Sequence, residues 1–422
     1  IIFLYFNANN LILSFLFLGL SIVLFAILLP IFLWYFLTVL QKIFYKNSFV
    51  NWILSDSKKQ INTISISLMA LLIALSVNIG VGGMVGSFRI TFHSWLDQRL
   101  ISELYLQIQD ENQKKEILKF LKKEADAVLP IVSNQYIISN EAIDIYGFLP
   151  HETYQKNWPL LKKEDKAWEK ITDKQGIMIN EQIFRKLNLK INDKIVLKNN
   201  NIEKELNIVA VYTDYGNPKG QMMIPLDLFF ELFPNKNTNR FAIRIDKKYI
   251  PKFEEILNNK FKLPLQQMTN QDELKKLSKE IFEKTFKVSN ALSSLTLIVA
   301  GIALFTSLTA ISFFRLGEIA PIWVIGISLR SLALTEMTKS VLISMLTSLL
   351  AIPLGYLICN ILTNFINVNA FGWKLPIYIF PKQWIYLFFI SIFITLLAVS
   401  LPSFRLWKAT PFSLLRKFNE SF

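Results

Sequence analysis

Residues 11–40 contain no charged side chain. A run of that length fits one tilted membrane span across a hydrocarbon layer about 30 Å thick. It cannot supply two spans, which need about twenty residues each, and Pro30 is placed to kink it. Four more apolar blocks follow, and a long polar region separates the second block from the third. Basic residues set the orientation. Lys42, Lys46, Lys58 and Lys59 face only Asp56 in the segment after the first block, and Arg405, Lys408, Arg416 and Lys417 face only Glu420 in the tail. Both segments read as cytoplasmic.

The blocks divide the chain into a first span within 1–44, a cytoplasmic interfacial helix at 45–60 and a span at 61–88. An outer α+β domain occupies 89–287. A span at 288–314, a cytoplasmic turn at 315–340 and a span at 341–365 come next. A short outer loop at 366–383, a span at 384–402 and a basic cytoplasmic tail at 403–422 complete the chain. The interfacial helix rests on Phe49, Trp52 and Ile53 opposite Asp56 and the lysines. The outer loop carries Trp373, Pro376, Tyr378 and, just beyond it, Trp384, an aromatic set of the kind found at membrane interfaces. The fold class is an α-helical transmembrane bundle of five spans with an extracytoplasmic α+β domain.

Within the polar region, Ile117, Phe120, Leu121 and Ala125 recur at helical spacing, as do Phe253, Ile256 and Leu257. Strands are predicted at 131–138, 176–179, 194–198, 206–212 and 241–245, with Asn199, Asn200 and Asn201 forming a hairpin turn. A β-rich subdomain is expected near 175–225. From Gln271 to Phe314 the only breaker is Gly301, so a single helix there would extend roughly 65 Å at about 1.5 Å per residue, toward a charged turn at 314–320.

Composition narrows the chemistry. The formal net charge is +14, but the lysines are scattered or sit beside apolar spans, which is positive-inside patterning and not a nucleic-acid footprint. The one cysteine, Cys359, lies in an apolar span, where it reads as a small packing residue; it can form no disulfide within the chain. His93 and His151 are the only histidines and stand apart from any carboxylate pair at ligand spacing, so no metal site is expected. No phosphate-cradling loop and no serine nucleophile elbow occurs, and the chain is not expected to be an enzyme. With almost no ionisable residue in the spans, an ion-coupled carrier is disfavoured.

Three motifs remain. Gly80, Gly82, Gly83 and Gly86 miss the dinucleotide pattern, whose last glycine would fall at position 85; Gly82 and Gly86 instead have the spacing that lets membrane helices approach closely. Asp214, Tyr215, Gly216 and Asn217 form a dense turn, either a strand end or a ligand-binding loop. Arg315 and Glu318 fit ordinary membrane-boundary charge. With the apolar Trp323, Val324, Ile325 and Ile327 and with Arg330 they also fit a docking helix.

The run Arg315-Leu316-Gly317-Glu318-Ile319-Ala320, followed by Gly326 and Ser328, resembles the coupling turn of FtsX/MacB-like ABC transporter permeases. The ending at 402–415, with Arg405, Pro411, Leu414 and Leu415, is similar to that family's ending. Four stretches resemble its large YbbP-like, ten-span branch: 67–72, Ser87-Phe88-Arg89 with 95–100, 214–221 and 282–286. The resemblance implies a second permease repeat, with 11–40 as a connecting span from upstream. The Ile1 start and the uncharged outer N-terminus then read as part of a longer permease. It also implies a bacterial inner-membrane location and a periplasmic domain. A separate cytoplasmic ATPase would carry ATP and magnesium and dock at Arg315, Glu318, Ile319, Ala320, Trp323, Gly326, Ser328 and Arg330; this chain would hold no cofactor. The implied activity is export or extraction of a hydrophobic or lipid-like cargo, with membrane lipid and a periplasmic partner as further contacts. The alternative is FtsX-like signalling to an extracytoplasmic partner. Pro321 and Trp323 depart from the family's usual Leu and Arg.

Overall fold

The computed structural model describes residues 2–199 and 202–408; the side chains of residues 2, 4, 289, 290 and 311–320 lie outside that description, as does most of the basic tail. Among the described residues, five helices are long and apolar enough to cross a membrane. They are Leu11–Ile43, Ser48–Arg99, Gln271–Val324, Leu329–Ile361 and Pro381–Trp407. The chain separates into two compact units. One comprises Ile1–Ser87, Phe286–Asn369 and Pro376–Phe422, and the other Phe88–Thr285 and Ala370–Leu375.

Helix boundaries differ from the expected ones for local reasons. The interfacial helix and the second span are one helix, because no glycine or proline interrupts the chain between Ser48 and Gly80; it continues to Arg99. The third long helix runs through the expected charged turn at 314–320 and stops at Val324. Gly326 ends it: its φ of +106° is left-handed, and its N–H reaches the Trp323 carbonyl at 2.9 Å. Ser328 then caps the fourth helix, its hydroxyl accepting the Ser331 N–H. The first helix starts the same way, with the Asn10 side chain accepting the Leu13 N–H at 2.8 Å.

In the first unit the helices meet where side chains are smallest. A Cβ at Gly80 would lie 2.4 Å from Ile358 Cγ2, and one at Gly355 would lie 2.5 Å from Ile79. Gly82 faces the end of the Gln383 side chain, Gly86 the Phe380 ring and Gly83 the Cys359 sulfur. Hydroxyls join the fourth and fifth helices: Ser348 and Ser391 lie 2.5 Å apart, and Thr395 donates to Ser344 at 2.7 Å. Asn78 donates to Thr296 of the third helix. Such bonds matter where lipid tails offer no hydrophobic drive to association. The large exposed side chains on the outward faces, among them Ile12, Ile27 and Ile302, are those that lipid would solvate.

The second unit is built on one ten-stranded mixed sheet. Its strands are β1 (Leu104–Gln107), β2 (Ala127–Ile138), β3 (Glu141–Phe148), β4 (Leu160–Lys163), β5 (Gly176–Asn180), β6 (Lys194–Asn199), β7 (Ile202–Tyr212), β8 (Gly220–Pro225), β9 (Arg240–Arg244) and β10 (Met268–Asn270). The order is β10-β1-β9-β2-β3-β8-β5-β7-β4, with β6 paired to β7; β3–β8 and β5–β7 are parallel. The β2–β3 hairpin turns on Ser139 and Asn140, both at positive φ, which matches the strand twist. The expected Asn199 hairpin is present as the β6–β7 pair, although Asn200 and Asn201 lie outside the described residues. Strands β5 to β8 belong to the common sheet and do not form a subdomain of their own. Three apolar clusters pack against it, centred on Ile145 and Phe229, on Tyr212 and Met223, and on Ile243 and Leu257.

The glycine contacts make a graded prediction. Gly80→Ala places a methyl against a branched side chain and the Gly355 carbonyl oxygen, and is expected to destabilise the protein by about 1–3 kcal/mol. Gly82→Ala meets only the flexible end of Gln383 and should cost markedly less. Thermal unfolding of the two variants in detergent checks the order.

Candidate functional site

Two places gather the residues that the sequence singled out. The first is the connection from the third to the fourth long helix. Arg315, Glu318, Ile319 and Ala320 lie in the third helix, and their side chains are outside the described set. Trp323 does not stand outward as an anchor. It packs with Trp52, Ile322, Ile327 and Leu329 against Leu332, Ala333 and Leu406. What the turn does expose is Val324 and Ile325, 65% and 82% accessible. The Arg330 guanidinium lies 5.1 Å from the Trp407 ring centroid, a spacing that permits a cation–π contact.

A charged cluster lies close by in the sequence of the fourth helix. Lys339 is 1% exposed and bonds both Asp56, near the start of the second helix, and Glu336, one turn before it in its own helix. Breaking such a buried set by removing one partner strands the remaining charges. Sequence reading passed over it. Glu336 and Lys339 have the i,i+3 spacing of a helical ion pair, and Asp56 is the lone acid in a lysine-rich segment, but nothing local joins the two segments.

The second place is the turn at 214–217 in the sheet-bearing unit. Asp214 and Tyr215 are buried. The Gln182 amide donates to the carbonyls of both Asp214 and Asn217 at 2.6 Å, and the Asn217 amide donates to the Asp214 carboxylate at 2.8 Å. The Trp95 indole donates to the Thr213 carbonyl. Gly216 sits at φ +86°, with open space where a Cβ would be. Against this turn lies the segment Ala370–Leu375, expected to be an interfacial loop but part of this unit. Trp373 is buried, with ring centroids 5.2 Å from Tyr215 and 5.4 Å from Phe88. Gly372 approaches Gln182, and the Lys374 N–H reaches the Glu181 carboxylate at 3.3 Å. Glu181 is 1% exposed; burial raises its carboxyl above the usual carboxylate range, although Arg185 opposes the shift from 2.6 Å. The Asp214 carboxylate and the carbonyls of Asp214 and Asn217 are thus engaged by internal contacts. Among the described residues no cluster of His, Cys, Asp and Glu could hold a metal.

Residues 290–411 match the FtsX-like permease C-terminal family. The C-terminal part of the chain is thus similar to the FtsX-like permeases of ABC transporters. It is 21% identical to an uncharacterized ABC transporter permease protein of Mycobacterium tuberculosis, over 83% of this chain and 43% of that protein. It is 24% identical to the lipoprotein-releasing system transmembrane protein LolC of Haemophilus influenzae, over 57% of this chain and 64% of that one. The chain thus spans less than two thirds of the length of either relative. Two solved structures are similar to it in part. The periplasmic region of MacB from Actinobacillus actinomycetemcomitans has a TM-score of 0.30 and 9% identity, covering 42% of this chain and 92% of that one. The extracellular domain of the ABC-type transporter YknZ from Gram-positive bacteria has a TM-score of 0.29 and 11% identity, covering 40% and 98%. Five apolar helices and the similarity to permeases mark the chain as a multi-pass inner-membrane protein.

Two outcomes follow. Lys339→Met leaves Asp56 and Glu336 without their shared cation and is expected to cost about 3 kcal/mol in thermal unfolding. The raised carboxyl of Glu181 favours the protonated folded state. Its contribution to stability is therefore full below the unfolded-state value and is lost as pH rises through the folded-state value. Glu181→Gln should flatten that fall, seen as a shallower slope of unfolding midpoint against pH from the carboxylate range to neutrality.

Proposed function

We propose that this chain is the membrane subunit of an ABC transporter, with a separate cytoplasmic ATPase seated on the exposed tip between the third and fourth long helices. The observation that carries the reading is the accessible apolar pair Val324 and Ile325 on a turn held from behind. Gly326 and Ser328 fix its backbone, and Trp323 and Ile327 pack its base. Apolar side chains presented on a fixed turn are what a partner's pocket can desolvate without paying for loop ordering. ATP and magnesium belong to the partner; this chain contributes contact and no chemistry. Arg315 and Glu318, one helical stretch earlier, would border the same partner with charge.

The cargo we propose is hydrophobic or lipid-like. Support comes from the similarity to LolC, whose name assigns it to a lipoprotein-releasing system. The scarcity of ionisable residues in the apolar stretches also argues against a solvated conduction path.

The test is co-purification with the candidate ATPase. Ile325→Glu puts a charge on the tip and should reduce recovery of the complex at least tenfold, with an unchanged unfolding midpoint because the side chain touches solvent. Trp323→Ala should lower the midpoint, because it removes packing from the chain's own cluster. Full recovery of the complex with Ile325→Glu and Val324→Glu together removes the docking assignment.

A further inference from the structure

The sheet-bearing unit contains a cavity of about 210 Å³ between the end of the second long helix and the sheet face. Its walls are mostly aromatic and aliphatic, with Tyr105, Tyr146, Tyr154, Trp158 and Met223 among them. The charged exception is Arg99. Its guanidinium lies 4.3 Å from the Trp158 ring centroid, and one amino group, Nη2, donates to Gln221 at 2.7 Å. Asp214 approaches that same Nη2 no closer than 4.0 Å. The other amino group, Nη1, is buried with no hydrogen-bond partner, and so is the indole N–H of Trp158. Two buried donors, one of them on a cation, are thus left open in residues that line one apolar cavity.

Leaving a buried donor unmet costs about 1–3 kcal/mol, and more on a charged group. Sites that keep this cost are commonly those where a ligand removes it. The tyrosine hydroxyls of Tyr105 and Tyr154 in the walls stay neutral, burial pushing Tyr154 up to about 12 and raising Tyr105 as well. They therefore bring no negative charge against an incoming anion.

We infer that this cavity binds the carboxylate end of an apolar molecule, such as a medium-chain fatty acid, with one carboxylate oxygen on Arg99 Nη1 and the other on Trp158 Nε1. Two donors match the two oxygens of a carboxylate. A phosphate would present a further charged oxygen with no donor to meet it and with Asp214 nearby. The aromatic walls receive the chain. The site lies wholly within the sheet-bearing unit, so it requires neither the ATPase nor the docking tip, and its test leaves that reading untouched.

The experiment is equilibrium binding of radiolabelled decanoate to the full chain in zwitterionic nanodiscs, with empty nanodiscs subtracted and no ATPase present. Saturable binding at one site is expected, with decanol competing at least tenfold more weakly because it lacks the charge. Trp158→Phe keeps an aromatic ring but removes the donor, and should weaken binding several-fold while the unfolding transition remains cooperative. Ala242→Leu, which fills the cavity from strand β9 without touching a polar group, should abolish binding while the unfolding transition remains cooperative. Absence of saturable decanoate binding overturns the proposal, as does equal affinity for decanol. Unchanged affinity in both variants places the ligand elsewhere and also overturns it. Decyl phosphate binding more tightly than decanoate overturns the carboxylate assignment.

Discussion

The contact of Gly80 with Gly355 sets the spacing on which the membrane unit depends. Apolar side chains there gain nothing from leaving lipid, since lipid is as apolar as they are. Association rests instead on close packing and on the few hydrogen bonds available. Each glycine lets a branched residue of the facing helix, Ile358 or Ile79, sit where a Cβ would otherwise be. Between the fourth and fifth long helices the serines and threonines do the bonding. Ser348 with Ser391, and Ser344 with Thr395, are fully or almost fully buried, and each bond closes two polar groups that lipid would leave unmet. The fourth helix carries both devices, the glycine contact toward the second helix and the hydroxyl pairs toward the fifth.

The sequence carried the spans because hydropathy is additive along the chain. Residues 11–40 have no charge, and no contact elsewhere can alter what that means. The helix ends were less legible. Gly317 and the charged run at 315–318 suggested a stop, yet the helix continues to Val324, because a stop needs a residue at positive φ followed by a capping side chain, and Gly326 with Ser328 supplies both. The strands at 131–138, 176–179, 194–198 and 206–212 were visible through alternation and flanking turns. Strands β3, β4 and β8 were not, and two of them, β3 and β8, join the sheet as parallel partners seventy or more residues apart along the chain. Trp373 shows the same limit more sharply. Its composition and position suited a membrane interface, and only tertiary pairing with Tyr215 and Phe88 reveals it as a core residue of the sheet-bearing unit.

Buried polar groups in this chain fall into two kinds, and the difference bears on what each can do. Lys339 with Asp56 and Glu336 is charge matched by charge: costly to break, and fixed in geometry by partners on two helices. Arg99 is matched on one side only. Gln221 also accepts the Tyr212 hydroxyl at 2.7 Å, so its carbonyl is shared between two donors and has little capacity left for Nη1. The first arrangement resists change; the second leaves an interaction available.

The same reasoning separates Trp323 from Ile325. A tryptophan beside a docking region invites assignment as the contact residue, since tryptophan is enriched among binding hot spots. Here its ring is spent on Leu332, Ala333 and Leu406, and pulling it out toward a partner would open a cavity in the chain's own packing. Ile325 has no such prior commitment: a partner that buries it gains the whole transfer of an exposed aliphatic side chain, about 1.5–3 kcal/mol, and disturbs nothing behind it. The residue that holds the turn and the residue that can be gripped are therefore different, and a contact at the tip can move the turn as a unit because Gly326, Ser328 and the Trp323 cluster keep its backbone from yielding.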